Sequence, residues 1–166
     1  MNAAGLDIRP WRDADRDEVV RLILGIQRDE YGMEISAADQ PDLADVASVY
    51  QSGAGNFWLC RRGGHLVGTI GLIDIGDRCG ALRKMFVEKE SRGRSPGVAA
   101  ALLDELVAWA RAHGIGSIVL GTTAWFHAAV AFYMRNGFSE IGRDELPPAF
   151  PVMAVDSRFF LRRLDG

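Results

Sequence analysis

Cysteine and histidine are scarce in this chain of 166 residues: Cys60 and Cys79 are the two cysteines, and His65, His113 and His127 the three histidines. The cysteines have neither paired metal-ligand spacing nor a histidine beside them, which argues against a zinc site and reads as free thiols of a reducing compartment. No metal is expected. Long apolar runs are missing too, and the first residues, MNAAGLDIRPW, lack both the basic start and the apolar stretch of a secretion signal. A cytoplasmic protein with no membrane partner is expected. Positive charge is not in excess either: the formal net charge is -3, with 25% charged and 48% hydrophobic residues, which disfavours a nucleic-acid surface. With no internal repeat, low-complexity linker or composition break, residues 1–166 read as a single domain with a core of its own.

Hydrophobic periodicity supplies the elements. Residues 6–10 alternate like a short strand, and Asp13 stands where a cap belongs, before a helix carrying Val19, Val20, Ile23, Leu24 and Ile26 on one face. Pro41 suits a first helical turn, and Leu43, Val46, Ala47 and Tyr50 predict a second amphipathic helix. Residues 56–62 and 65–75 read as strands joined at Gly63-Gly64, with a third strand at 81–87, an antiparallel meander. A helix over 96–113 follows, with Val98, Leu102, Leu106 and Trp109 on one stripe. Then come a buried strand at 117–121, a helix at 125–136, a strand at 138–143, a proline-broken loop ELPPAFP and a last strand at 157–164. The order β-α-α-β-β-β-α-β-α-β-β predicts one α/β domain built on a mixed sheet.

Residues 92–103, RGRSPGVAAALL, look suited to an anion. Ser95 is a favourable N-cap, Pro96 fits the first helical position, and Gly97 lets a ligand approach the backbone. Free N–H groups and the positive end of the helix dipole would hold a diphosphate, with Arg92 and Arg94 adding charge-assisted bonds. On these residues alone, a well-capped helix lined by solvated arginines explains the segment equally well. No Gly-Lys-Ser/Thr follows the glycine turn, so a nucleotide P-loop is excluded.

Arg94-Ser95-Pro96-Gly97-Val98-Ala99 resembles the cofactor motif Gln/Arg-x-x-Gly-x-Gly/Ala of the GCN5-related N-acetyltransferase (GNAT) superfamily, and AAVAFYMRNGF resembles its second signature, with Ala129, Tyr133, Gly137 and Phe138 in register. LRKMFV is similar to the strand that leads into the cofactor loop. The sequence departs from the family pattern at Ser95, where a second glycine is usual, at Pro96, and at Phe126, where an asparagine is common.

The resemblance implies a GNAT-like fold: a mixed, mainly antiparallel sheet flanked by about four helices, its fourth and fifth strands splayed to form an acyl-CoA cleft. It implies acetyl-CoA as acyl donor, with the diphosphate at Arg92, Gly93, Arg94, Ser95, Gly97, Val98 and Ala99 and the pantetheine arm along Met85, Phe86 and Val87, as in strand addition. It implies a small-molecule or peptide amine as acceptor, direct transfer in a ternary complex, and allows a homodimer. Tyr133 is the implied proton donor to the leaving thiolate; packing against Phe138 is its other role. The N–H of Met85 or Phe86 is the implied donor to the oxyanion.

An alkylamine with pKa near 10 must lose a proton, at about 4 to 5 kcal/mol at neutral pH. A carboxylate base is therefore sought among Glu34, Asp74 and Glu88. Strand alternation sends Arg83 and Lys84 to opposite sides, one toward the acceptor. Trp58 and Trp125 are candidate pocket walls, and ELPPAFPVM a wall of the acceptor cleft. A non-catalytic module that senses acyl-CoA is the alternative function; the presence of a tyrosine at 133 favours the enzyme.

Overall fold

Seven strands join one sheet in the order β1-β2-β3-β4-β5-β7-β6 in the computed structural model, which describes residues 5–123 and 127–164. The strands are β1 (Leu6–Pro10), β2 (Asn56–Arg62), β3 (His65–Asp74), β4 (Cys79–Val87), β5 (Ser117–Thr122), β6 (Ser139–Ile141) and β7 (Arg158–Arg163). Every neighbouring pair is antiparallel except β4 and β5. Four helices flank the sheet: α1 (Arg16–Gly25), α2 (Val46–Val49), α3 (Val98–Ala112) and α4 (His127–Arg135). The mixed sheet and element order agree with expectation.

Each sheet face has its own core. On one, α3 presses Val98, Leu102, Leu103, Leu106, Val107 and Ala110 against Trp58, Ile70, Leu72 and Leu82. Each valine, leucine or isoleucine among them contributes about 1.5–3 kcal/mol by leaving water. Trp109, expected on this stripe, sits at its margin, where its indole N–H donates to the Ala54 carbonyl at 2.9 Å. On the other face, α1 and the segment after it cover Phe57, Leu59 and Leu66 with Val19, Ile23, Leu43, Val46 and Tyr50.

The second predicted helix is broken. A 3-10 turn over Pro41–Ala44 is separated from α2 by Asp45, at φ -145° and ψ 56°. Leu43, Val46 and Tyr50 are buried as expected, while Ala47 is exposed. The break has a polar cause: the Tyr50 hydroxyl donates to the Asp42 carboxylate at 2.6 Å. In a continuous helix residues eight apart lie about 12 Å apart along the axis. Bending at Asp45 brings them together.

A second irregularity lies in β4. Thr69 pairs with Phe86 but Gly71 pairs with Arg83, so Lys84 and Met85 together stand opposite Ile70, which is a β-bulge. Lys84 takes φ 56°, a left-handed conformation costing a non-glycine residue about 1–3 kcal/mol, and its carbonyl accepts the Thr69 hydroxyl at 2.8 Å. Alternation resumes one residue out of step.

Both cysteines are buried. Burial is the main cause that pushes the Cys60 thiol up to about 11 and raises Cys79. The thiolate is the reactive form, so at pH 8 the native protein is expected to show negligible reaction with dithionitrobenzoate over minutes, and two thiols after denaturation. Rapid native labelling would contradict the burial.

Candidate active site

β4 and β5 pair only at Cys79–Ser117, Gly80–Ile118 and Ala81–Val119. From Leu82 onward β4 has no partner on β5, and the two strands open into a V. A cavity of about 610 Å³ fills the V on the α3 and α4 side. Met85, Phe86 and Val87 form one wall, Arg92, Gly93, Arg94, Gly97 and Ala99 the end formed by the turn, and Tyr133 of α4 the opposite wall. All predicted cofactor contacts except Ser95 and Val98 therefore come together. Ser95 is exposed in the turn and Val98 points into the core.

The helix start differs from expectation. Gly97, at φ 75° and ψ 40°, is the N-cap of α3, not Ser95, and Pro96 precedes it after a cis peptide bond. A left-handed N-cap suits glycine, which has no Cβ to clash. The first backbone bond of α3 runs from the Ala101 N–H to the Gly97 carbonyl at 3.0 Å. The N–H groups of Val98, Ala99 and Ala100 thus have no acceptor within the helix, which makes this end electropositive.

Arg92 is not the free cation it was expected to be. Its guanidinium grips the Glu30 carboxylate at 2.7 and 2.6 Å and donates to the Val87 carbonyl at 2.9 Å. Glu30 is presented by a widened π turn over Ile26–Glu30 that continues α1, a type of distortion common at functional sites. Arg92 therefore ties the turn to α1. Exposed Arg94 and Arg135 line the same cavity.

Tyr133 is 5% exposed and packs edge-on to Phe138, ring centroids 5.4 Å apart. Its hydroxyl has no hydrogen-bond partner among the described residues. Burial raises its pKa well above the ordinary phenol range, so it keeps its proton. Packing and lining the cavity are thus compatible. The sequence motif marked Ala129 and Tyr133; Phe132 and Asn136, which also line the cavity, follow from the same i, i+3 and i, i+4 face.

A second, smaller cavity of about 140 Å³ opens on the other face of the V and shares Met85, Phe86, Ala129 and Tyr133 with the first. The bulge decides its chemistry. Leu82, Met85 and Val87 all belong to the α3-side core, whereas Phe86 packs on the α1 side. The two residues between Leu82 and Met85 are consequently both turned away from α3. Alternation would have separated Arg83 and Lys84; the extra residue puts them on one face.

Lys84 is nearly buried there. Its Nζ donates to Gln40 Oε1 at 2.6 Å and lies 3.5 Å from the Asp42 carboxylate. Gln40 in turn pairs amide to amide with Gln27 at 2.9 and 3.2 Å. Burial lowers the Lys84 pKa, the Asp42 charge opposing. None of Gln27, Gln40 and Asp42 is visible as a site from sequence, since their partners come from distant elements.

The three carboxylates proposed from sequence lie elsewhere. Glu34 is exposed. Asp74 accepts the N–H groups of Ala54 and Gly76, both at 2.9 Å. Glu88 holds His65 Nε2 and the Ser91 hydroxyl, both at 2.8 Å. None of them lines either cavity. Trp58 is 1% exposed and belongs to the core, while Trp125 and Phe126 lie outside the described residues. Phe150 and Met153, both within the segment ELPPAFPVM expected to form a wall, line the second cavity.

Residues 20–138 match the acetyltransferase (GNAT) family, and the chain belongs to that family. N-acetyltransferase 8 of Rattus norvegicus is 30% identical over 114 residues, which is 66% of this chain and 51% of that protein. The chain spans about half the length of such curated relatives. An acetyltransferase of the GNAT family from Staphylococcus aureus Mu50 has a TM-score of 0.91 at 37% identity, over 96% of this chain and 99% of that one. N-acetylglutamate synthase from Neisseria gonorrhoeae, solved with coenzyme A and N-acetylglutamate, has a TM-score of 0.72 at 20% identity, over 97% of this chain and 35% of that one. This last likeness is one of fold.

The buried polar cluster yields a stability test. Lys84→Met strands the Asp42 charge and is expected to destabilise by about 3 kcal/mol. Lys84→Met with Asp42→Asn removes both charges and should recover at least half of that loss in urea unfolding. Additive losses would mean that the two groups are not coupled.

Proposed function

We propose that the chain transfers the acetyl group of acetyl-CoA to a primary amine, directly, with both substrates bound. The observation that carries this reading is the meeting of two cavities at Tyr133, one ending at a helix N-terminus. The larger has the size of a ligand site, about 300–1,000 Å³ in general. The N–H groups of Val98, Ala99 and Ala100, with Arg94 and Arg135, fit a diphosphate. Met85–87, unpaired toward β5, offer backbone groups to the amides of a pantetheine arm. The apolar walls given by Phe132 and Ala129 fit the methylenes of that arm.

Acetyl-CoA supplies a thioester, an activated acyl group with a good leaving thiolate. The chain's own groups then have separable tasks. The N–H of Met85 donates to the carbonyl oxygen as negative charge grows there, a contribution worth about 3–4 kcal/mol in comparable sites, whereas that of Phe86 is turned toward Thr69 on β3. Tyr133, held protonated by burial, gives its proton to the thiolate. As the C–N bond forms and the C–S bond breaks, the ammonium substrate loses two protons and the thiolate gains one. One of the two substrate protons restores Tyr133, and the other is released per turnover.

A module that only sensed acyl-CoA would need neither the second cavity nor a hydroxyl lining both. Proton release through Glu34, Asp74 or Glu88 would require a relay of water, because those carboxylates stand outside both cavities.

Calorimetric titration with acetyl-CoA tests the binding step. Micromolar binding is expected for the native chain. Ala100→Glu, an exposed position in the first turn of α3, should weaken it at least about tenfold without loss of folding, since acidic residues stabilise a helix N-terminus. Gly97→Trp should abolish it. No binding by the native chain would overturn the proposal. Tyr133→Phe should then lower kcat by about 10²-fold or more with acetyl-CoA affinity retained; unchanged turnover across pH would remove its role as proton donor.

A further inference from the structure

Two opposite charges face the second cavity without pairing with each other. Arg83 reaches it from β4, where its only bonded partner among the described residues is the Met153 thioether, at 3.4 Å. Asp156 reaches it from the loop before β7 and lies flat against β5. A Cβ built on Gly121 would come within 2.7 Å of the Asp156 carboxyl carbon, so the absence of a side chain at 121 gives the carboxylate its place. One carboxylate oxygen accepts the Met153 N–H at 2.8 Å. No ion pair joins Asp156 to Arg83 or to any other described cation.

A free guanidinium and a carboxylate left apart, one on each arm of the V, describe a receptor for a molecule that carries both complementary charges. Around them Leu82, Leu120, Phe150, Met153 and Val155 supply apolar wall, with Thr122 and Thr123 beside it. At about 140 Å³, the space is below the usual range for larger ligands. Lys84 contributes little to this recognition, because its charge is already met by Asp42 and Gln40.

We propose that the second cavity is the acceptor subsite for a small free α-amino acid with an apolar side chain, Arg83 binding its carboxylate and Asp156 its ammonium. This rests on the acetyl-transfer reading above. Arg83 suits the carboxylate because its planar fork donates two parallel bonds. Asp156 can accept one ammonium proton and pass it to solvent, leaving the amine free to attack the thioester carbonyl beside Tyr133. As the C–N bond forms and the C–S bond breaks, the thiolate takes the Tyr133 proton and the second amine proton restores the Tyr133 hydroxyl. The products are the N-acetylamino acid, coenzyme A and one net proton. Burial raises the Asp156 pKa, against the Met153 N–H and the nearby Arg83 and Arg143 charges, which oppose the shift; a raised value fits a group that must hold a proton briefly.

Glycine, alanine, valine, leucine and methionine, each as free acid and as its amide, test this with acetyl-CoA and thiol release as readout. For at least one pair the native protein should prefer the free acid by about 10–100-fold in kcat/KM. Arg83→Gln should bring that ratio near one through a rise in KM for the acid, and Arg83→Lys should recover part of it. Amides accepted as well as acids, a preference that survives Arg83→Gln, or no acid accepted by a protein that binds acetyl-CoA in the calorimeter would each overturn the amino-acid subsite alone. Failure to bind acetyl-CoA would overturn the transfer reading and this one with it.

Discussion

The site depends on one constraint: β4 and β5 run side by side for three residues and then separate. In an intact parallel sheet both faces of such strands are covered and the backbone groups between them are consumed. Here the pairing ends at Ala81 and Val119, so the following stretch of β4 keeps an unpaired edge in the interior of the protein. Buried backbone groups require partners. An interior edge of this kind is a place for a ligand with amide groups of its own, and the helix start and the tyrosine are arranged around that gap.

The β4 bulge adds the second half of the chemistry. By inserting a residue opposite Ile70, it places Arg83 and Lys84 on the same face. The left-handed backbone at Lys84 is compensated locally by the Thr69 hydroxyl and the buried ammonium by Gln40 and Asp42. The same Asp42 accepts the Tyr50 hydroxyl and bends the segment before α2. One irregularity in a strand is therefore coupled to one irregularity in a helix, through a buried polar cluster. The Glu30–Arg92 pair fastens α1 to the cofactor turn in the same manner.

Most of the fold was legible because it rests on local periodicity. The Gly63-Gly64 turn that joins the apolar runs of β2 and β3, the apolar stripe of α3 and the motif spacing through Tyr133 are all properties of neighbouring residues. Errors fell where a side-chain bond or a backbone turn overrides the periodic pattern, whether its groups are near or distant in sequence. Residues 41–50 have a helical pattern, but the Tyr50–Asp42 bond breaks it. Ser-Pro looks like a helix start, but the chain enters α3 through Gly97. Arg92 looks like a free cation at the turn; it does line the larger cavity, but Glu30, some sixty residues earlier, pairs with its guanidinium.

Sequence by itself determined the class of fold, the sequence order of the elements and the turn and tyrosine that line the larger cavity, since these follow from periodicity and from motifs read within single segments. Tertiary structure alone decided which charges are free. Formal charge is a property of a residue, whereas availability depends on whether a partner from another element has already neutralised it. Arg92 and Lys84 are satisfied by α1 and the segment before α2; Arg94 remains exposed and Arg83 faces a cavity. That distinction arises only when the sheet parts, the bulge turns β4, and strands remote in sequence bring their side chains together.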